Sequence, residues 1–287
     1  MLKHCFRWAA LGLLVASVGS VSSASLAGAA PAPVASTVGF AVSYNAGQPN
    51  GFWETDASGD VTSFGSAVDY GSEAGVHLNQ PIVGLAADET GGGYWLVARD
   101  GGVFTFGVVD FYGSMGGAHL NRPIIGMAAG PLSQGYWLYA SDGGVFTFGD
   151  ASFYGSTGAL HLNQPIIALV PTPSGHGYWL VARDGGVFTF GDAGFYGSTG
   201  GQTLGGHMAL GLVPTPDGHG YLLVFDNGVA KAFGDAAAPG PITVSPPSNS
   251  VVAVVPDPDG SLGYWEALDT GLVIPFDPAP SLGPQVG

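Results

Sequence analysis

The chain has 287 residues, 50 of them glycine and 21 proline, and carries six lysines and arginines against 21 aspartates and glutamates, a net charge of −15. So acidic a surface repels phosphate backbones and anionic lipids, which excludes nucleic acid and, once any leader is removed, membranes as partners. Glycine and proline at this density break helices and favour short strands joined by turns.

In chain order, basic Lys3 and Arg7 precede an apolar run from Trp8 to about Val21, and the small residues Ala27-Gly28-Ala29 follow. This order predicts a secretory signal peptide over residues 1–29, its apolar run being short for a bilayer span. Cleavage removes Lys3, Arg7 and the sole cysteine, Cys5, leaving Arg99, Arg122, Arg183 and Lys231 against 21 acidic side chains, a net charge of −17. Residues 30–36 read as an Ala/Pro linker. The mature chain is expected to be a monomer, secreted or associated with the cell wall, and large enough to fold without disulfides.

From residue 37 to 287 an aromatic pair after glycine recurs at Phe52-Trp53, Tyr94-Trp95, Tyr136-Trp137, Tyr178-Trp179, Tyr221-Leu222 and Tyr264-Trp265. The spacings are 42, 42, 42, 43 and 43 residues, so six units fill this region. In the unit around Tyr178, residues 165–170 and 177–182 are short runs of strand formers separated by a Pro/Gly turn. Asp184-Gly185-Gly186 then turns the chain into Val187-Phe188-Thr189-Phe190, and Gly191 to Gly194 lead to Phe195-Tyr196-Gly197-Ser198. Four strands per unit and six units predict an all-β fold, a six-bladed β-propeller of four-stranded blades, with a β-solenoid of the same repeats as the alternative. Gly84, Gly126, Ala168, Gly211 and Ala253 form a small-residue column in the first strand, which places that strand innermost.

The string Gly-Tyr-Trp-Leu-Val-Ala-x-Asp-Gly-Gly-Val-Phe-Thr-Phe-Gly-Asp-Ala-x-Phe-Tyr-Gly-Ser, read from Gly177 and, with Tyr139 for Val, from Gly135, resembles tandem repeats of exported bacterial proteins. The resemblance implies a repeat module that accompanies catalytic domains in larger proteins without an activity of its own. The stretch from Ser141 to Phe148 also resembles the structural Asp-box of sialidase-type propellers, but it lacks the residue between Ser and Asp.

Asp100, Asp142 and Asp184 precede Gly-Gly pairs and are expected to hold turns with Gly143 and Gly185. His77, His119 and His161 share one column of His-Leu-Asn connections, and each is expected to hydrogen-bond within its own connection rather than ligate a metal. Asp257-Pro258-Asp259-Gly260 lacks the full ligand series of a calcium loop, so neither metal nor cofactor is expected. Glu54 and Glu266 stand where Leu96, Leu138 and Leu180 follow the Tyr-Trp pair, and Asp56 is a further acidic exception. In a closed ring the first and last units are neighbours, which makes Glu54, Asp56 and Glu266 the candidate ligand-binding residues at the join.

No nucleophile motif, phosphate-binding loop or dinucleotide fingerprint is present. Arg99, Arg122 and Arg183 are spread over the units and poorly placed to grip one carboxylate as a sialidase requires. The chain therefore reads as a non-enzymatic extracellular module that binds a cell-wall glycan, another polysaccharide or a protein. The alternatives are a glycan-cleaving hydrolase using carboxylates near the first and sixth units, and a structural spacer.

Overall fold

The computed structural model describes residues 37–45, 47–130, 133–237, 251–256, 263–268, 273–276 and 282. The expected signal peptide, the linker and the loop from Asp257 to Gly260 lie outside these residues. Among the described residues the regular elements are strands, grouped in six antiparallel three-stranded sheets, and no helix is long and apolar enough to cross a membrane.

Sheet 1 holds β1 (Gly39–Asn45), β2 (Gln48–Thr55) and β3 (Val61–Gly65), and sheet 2 holds β4 (Ile82–Ala87), β5 (Gly93–Ala98) and β6 (Val103–Gly107). Sheet 3 is β7 (Ile124–Ala129), β8 (Gly135–Ala140) and β9 (Val145–Gly149), and sheet 4 is β10 (Ile166–Pro171), β11 (Gly177–Ala182) and β12 (Val187–Gly191). Sheet 5 is β13 (Ala209–Pro214), β14 (Gly220–Phe225) and β15 (Ala230–Gly234), and sheet 6 is β16 (Val251–Pro256), β17 (Tyr264–Leu268) and β18 (Val273–Phe276).

The middle strands β5, β8, β11 and β14 are buried along their whole length. A strand sandwiched between neighbouring sheets needs apolar side chains on both faces, which explains a continuous Tyr-Trp-Leu-Val run instead of alternation. Side-chain period two then sends Tyr and Leu toward the preceding sheet and Trp and Val toward the following one. Thus Trp95 and Val97 pack with Tyr136 and Leu138, and Trp137 packs with Tyr178 and Leu180.

The first strands are neighbours in cyclic order, β1 to β4, β7, β10, β13 and β16, with β16 returning to β1. The small column lies at a register shift in each of β4, β7, β10, β13 and β16. A Cβ on Gly84 would sit 3.3 Å from the Cα of Gly126 in the next first strand, so bulk there would push adjacent strands apart. At the seam, Leu282 packs with Phe40, Val42 and Phe52 of sheet 1 and with Trp265 of sheet 6. Its carbonyl abuts Gly65, where Tyr70, Tyr112, Tyr154 and Tyr196 abut Gly107, Gly149, Gly191 and Gly234 in the other units. The fold is propeller-like.

The sheets have three strands, not the four expected. The Phe-Tyr-Gly-Ser segment forms no ladder because its backbone bonds go to a tyrosine hydroxyl of the next sheet. The Tyr136 hydroxyl donates to the Gly113 carbonyl at 2.6 Å and accepts from the Tyr112 amide at 3.2 Å, and Tyr178 and Tyr221 repeat both interactions, donating to the Gly155 and Gly197 carbonyls and accepting from the Tyr154 and Tyr196 amides. Gly155 has a φ of 140° and a Cβ there would run into the Phe190 ring, so glycine is required where the latch closes. Tyr136→Phe strands a backbone carbonyl and amide, and is expected to lower stability by about 1–3 kcal/mol in urea unfolding.

Candidate functional site

Glu54 lies on β2 opposite Phe40 and Thr62, and Glu266 on β17 opposite Val254 and Ile274. Both are fully buried. The Glu54 carboxylate accepts from the Thr37 hydroxyl at 3.3 Å through Oε2, whereas its Oε1 and the Oε1 of Glu266 have no hydrogen-bond partner. Burial pushes each carboxyl up to about 7, with the Thr37 hydroxyl partly opposing it at Glu54.

The structure does not join these two glutamates in one site. Glu54 shares its face with Phe52, which packs on Trp265, Ala267 and Leu282 at the interface of sheets 6 and 1. Glu266 shares its face with Tyr264, which packs on Val213, Leu222 and Val224 of sheet 5. Sheet 6 therefore stands between the two carboxyls, because the same strand parity that aligns them with Leu96, Leu138 and Leu180 turns both toward their preceding sheet. Asp56 is also separate: its Oδ1 accepts from the Ser58 amide at 2.8 Å, the Ser58 hydroxyl at 2.6 Å and the Asp60 amide at 3.2 Å, which makes it a turn cap.

The turn between second and third strands has one geometry in the middle units. Oδ1 of Asp100, Asp142 and Asp184 accepts from the amides of Gly102, Gly144 and Gly186, each at 3.0 Å. Gly143 and Gly185 have φ values of 77° and 73°, and a Cβ at either would meet the hydroxyl of Thr157 or Thr199. Gly185→Val is therefore expected to lower stability by more than about 1 kcal/mol, read as a lower melting temperature.

These turns interlock with the connections that enter the first strands. The Arg99, Ser141 and Arg183 amides donate to the carbonyls of Pro81, Pro123 and Pro165. At the first such junction an open groove of about 530 Å³ is lined by Ser58, His77, Asn79 and Gln80 among others. His77, His119 and His161 are exposed and make no hydrogen bond or ion pair, contrary to the expectation that each would bond within its connection. The backbone junctions already hold the connections, so the imidazoles are left facing solvent. Asn79, Asn121 and Asn163 repeat the pattern beside them, exposed and without side-chain partners.

Sequence reading did not single out one further group. Asp217, His219 and Asp235 have donor atoms within 4.8 Å of one another, close enough to share a cation. All three are exposed, and Asp217 is held well below the usual carboxylate range by hydrogen bonds from His219 and Thr215. In sheet 4 the equivalent positions are satisfied internally, with Ser174 and Thr172 donating to Asp192. The signal for this group was the replacement of Ser174 by Asp217 in an otherwise repeated loop.

No protein-family model matches the chain, and no curated protein matches it. A solved structure similar to it is that of a structural genomics protein of unknown function from Bacteroides thetaiotaomicron VPI-5482. The TM-score is 0.55 at 14% identity, covering 86% of this chain and 70% of that one. At that identity the likeness concerns the fold alone.

Proposed function

We propose that the chain is an exported, non-enzymatic six-bladed β-propeller that binds a neutral polysaccharide, such as a cell-wall glycan, through the end carrying the His-Leu-Asn connections. The observation that carries this reading is the row of unengaged imidazoles and carboxamides at His77 and Asn79, His119 and Asn121, and His161 and Asn163. Polar side chains repeated on successive units suit a ligand that itself repeats, and carboxamides match sugar hydroxyls as both donor and acceptor. The acidic surface disfavours an anionic polymer.

A six-bladed ring is supported by the cyclic order of the first strands and by Leu282 at the seam. A hydrolase built on the pair Glu54 and Glu266 is not supported, because glycoside hydrolysis needs two carboxyl groups about 5 to 10 Å apart on the substrate. Glu54 and Glu266 are instead buried at different interfaces. The purified secreted chain should be retained on insoluble neutral cell-wall polysaccharide and should release no reducing sugar from it. Failure of retention on a panel of such polymers, or release of sugar, would overturn the proposal.

A further inference from the structure

Among the described residues, sheet 6 lacks on both of its faces a tyrosine hydrogen bond that the other sheets share. At the four interfaces from sheet 1 through sheet 5, a tyrosine of the later sheet donates to a glycine carbonyl of the earlier unit: Tyr94 to Gly71, Tyr136 to Gly113, Tyr178 to Gly155 and Tyr221 to Gly197. Where sheet 6 meets sheet 5, the Tyr264 hydroxyl is buried without a partner. Where it meets sheet 1, the corresponding residue is Phe52, which has no hydroxyl. Tyr70, Tyr112, Tyr154 and Tyr196 also donate to carbonyls of the next unit, a bond that the side chain of Leu282, which takes their place at that seam, cannot make. On the sheet 5 side, Leu222 replaces the tryptophan whose indole bonds a carbonyl fifteen residues on in the units of Trp53, Trp95, Trp137 and Trp179.

Each of these two faces also carries one buried carboxyl with an unpartnered oxygen, Glu54 on one side and Glu266 on the other. The groups opposing Glu54 from sheet 6 include Trp265, Ala267, Val273, Ala253 and Val255, and Thr37 reaches it from its own unit. Opposing Glu266 are Val213, Leu222, Val224, Ala230 and Ala232, with the Tyr264 hydroxyl beside it. No cationic or second acidic side chain faces either one among the described residues. An ionised carboxylate in such a place has no counter-charge and recovers its hydration only if the interface parts.

We propose that sheet 6 is a pH-gated segment of the ring, closed while Glu54 and Glu266 are protonated and parting from sheets 1 and 5 when they ionise. Hydrogen exchange by mass spectrometry on the full secreted chain, corrected for intrinsic rates, tests it. Protection of β16–β18 relative to β4–β12 should fall by about a hundredfold from about pH 5 to about pH 8. Glu54→Gln and Glu266→Gln should each remove part of that fall, and the double variant should abolish it. Glu54→Leu with Glu266→Leu, which restores the side chain of Leu96, Leu138 and Leu180, serves the same purpose should the glutamine pair fold poorly. A wild-type protection ratio that is constant with pH, or a fall that survives in the double variants, would overturn the proposal.

Discussion

Trp137→Ala is expected to lower stability by about 3–5 kcal/mol, enough to unfold much of the population of a marginally stable chain. The indole is fully buried between sheets 3 and 4, against Tyr178, with ring centroids 5.8 Å apart, and its Nε1 donates to the Ser152 carbonyl at 2.8 Å. Truncation empties a wedge that the backbone of two rigid sheets cannot collapse to fill, and it strands the carbonyl as well. Urea unfolding followed by far-UV circular dichroism checks the size of the loss. An effect below about 1 kcal/mol would show that the tryptophan column is not the packing element between sheets.

Glu54→Leu and Glu266→Leu are expected to act in the opposite direction, each raising stability at pH 8 by up to about 3 kcal/mol. In the folded chain both carboxyls hold their protons up to about 7, against about 4.5 for an unperturbed glutamate. Below about 4.5 both states are protonated and the full stability stands. As pH rises from there through about 7 the unfolded chain releases these protons first, so wild-type stability falls, and above that it stays on the lower plateau. The leucine variants should therefore show a flatter stability profile between about pH 4.5 and about pH 7 and should gain most on the alkaline side. Urea midpoints across that range measure it. Equal slopes in wild type and variants would contradict the burial argument.

The repeat, the strand class and the position of the small-residue column were legible because each is a local regularity: a period of 42 or 43 residues, runs of strand formers, and glycine or alanine at one place. Strand number was not legible at Phe111-Tyr112-Gly113, whose composition suits a strand. Its backbone partner is the hydroxyl of Tyr136, 23 and 24 residues further on, a side-chain bond that no local pattern reveals. The two glutamates were visible as departures from the Leu96 column. Their separation was not, since it depends on which neighbouring sheet that column faces, a property of sheet packing rather than of the strand. The free state of His77, His119 and His161 likewise follows from backbone junctions such as Arg99 to Pro81, which satisfy the connections without the imidazoles.

Affinity for a neutral cell-wall polysaccharide, measured on wild type and on a variant with His77, His119 and His161 all changed to alanine, tests the binding surface most directly. The three side chains are exposed and unbonded, so melting should move little, within about 0.5 kcal/mol per site in stability. Removing equivalent contacts on three units of a multivalent surface should weaken retention by about tenfold or more. That outcome is the one the account predicts, and an unchanged affinity in a folded triple variant would contradict it.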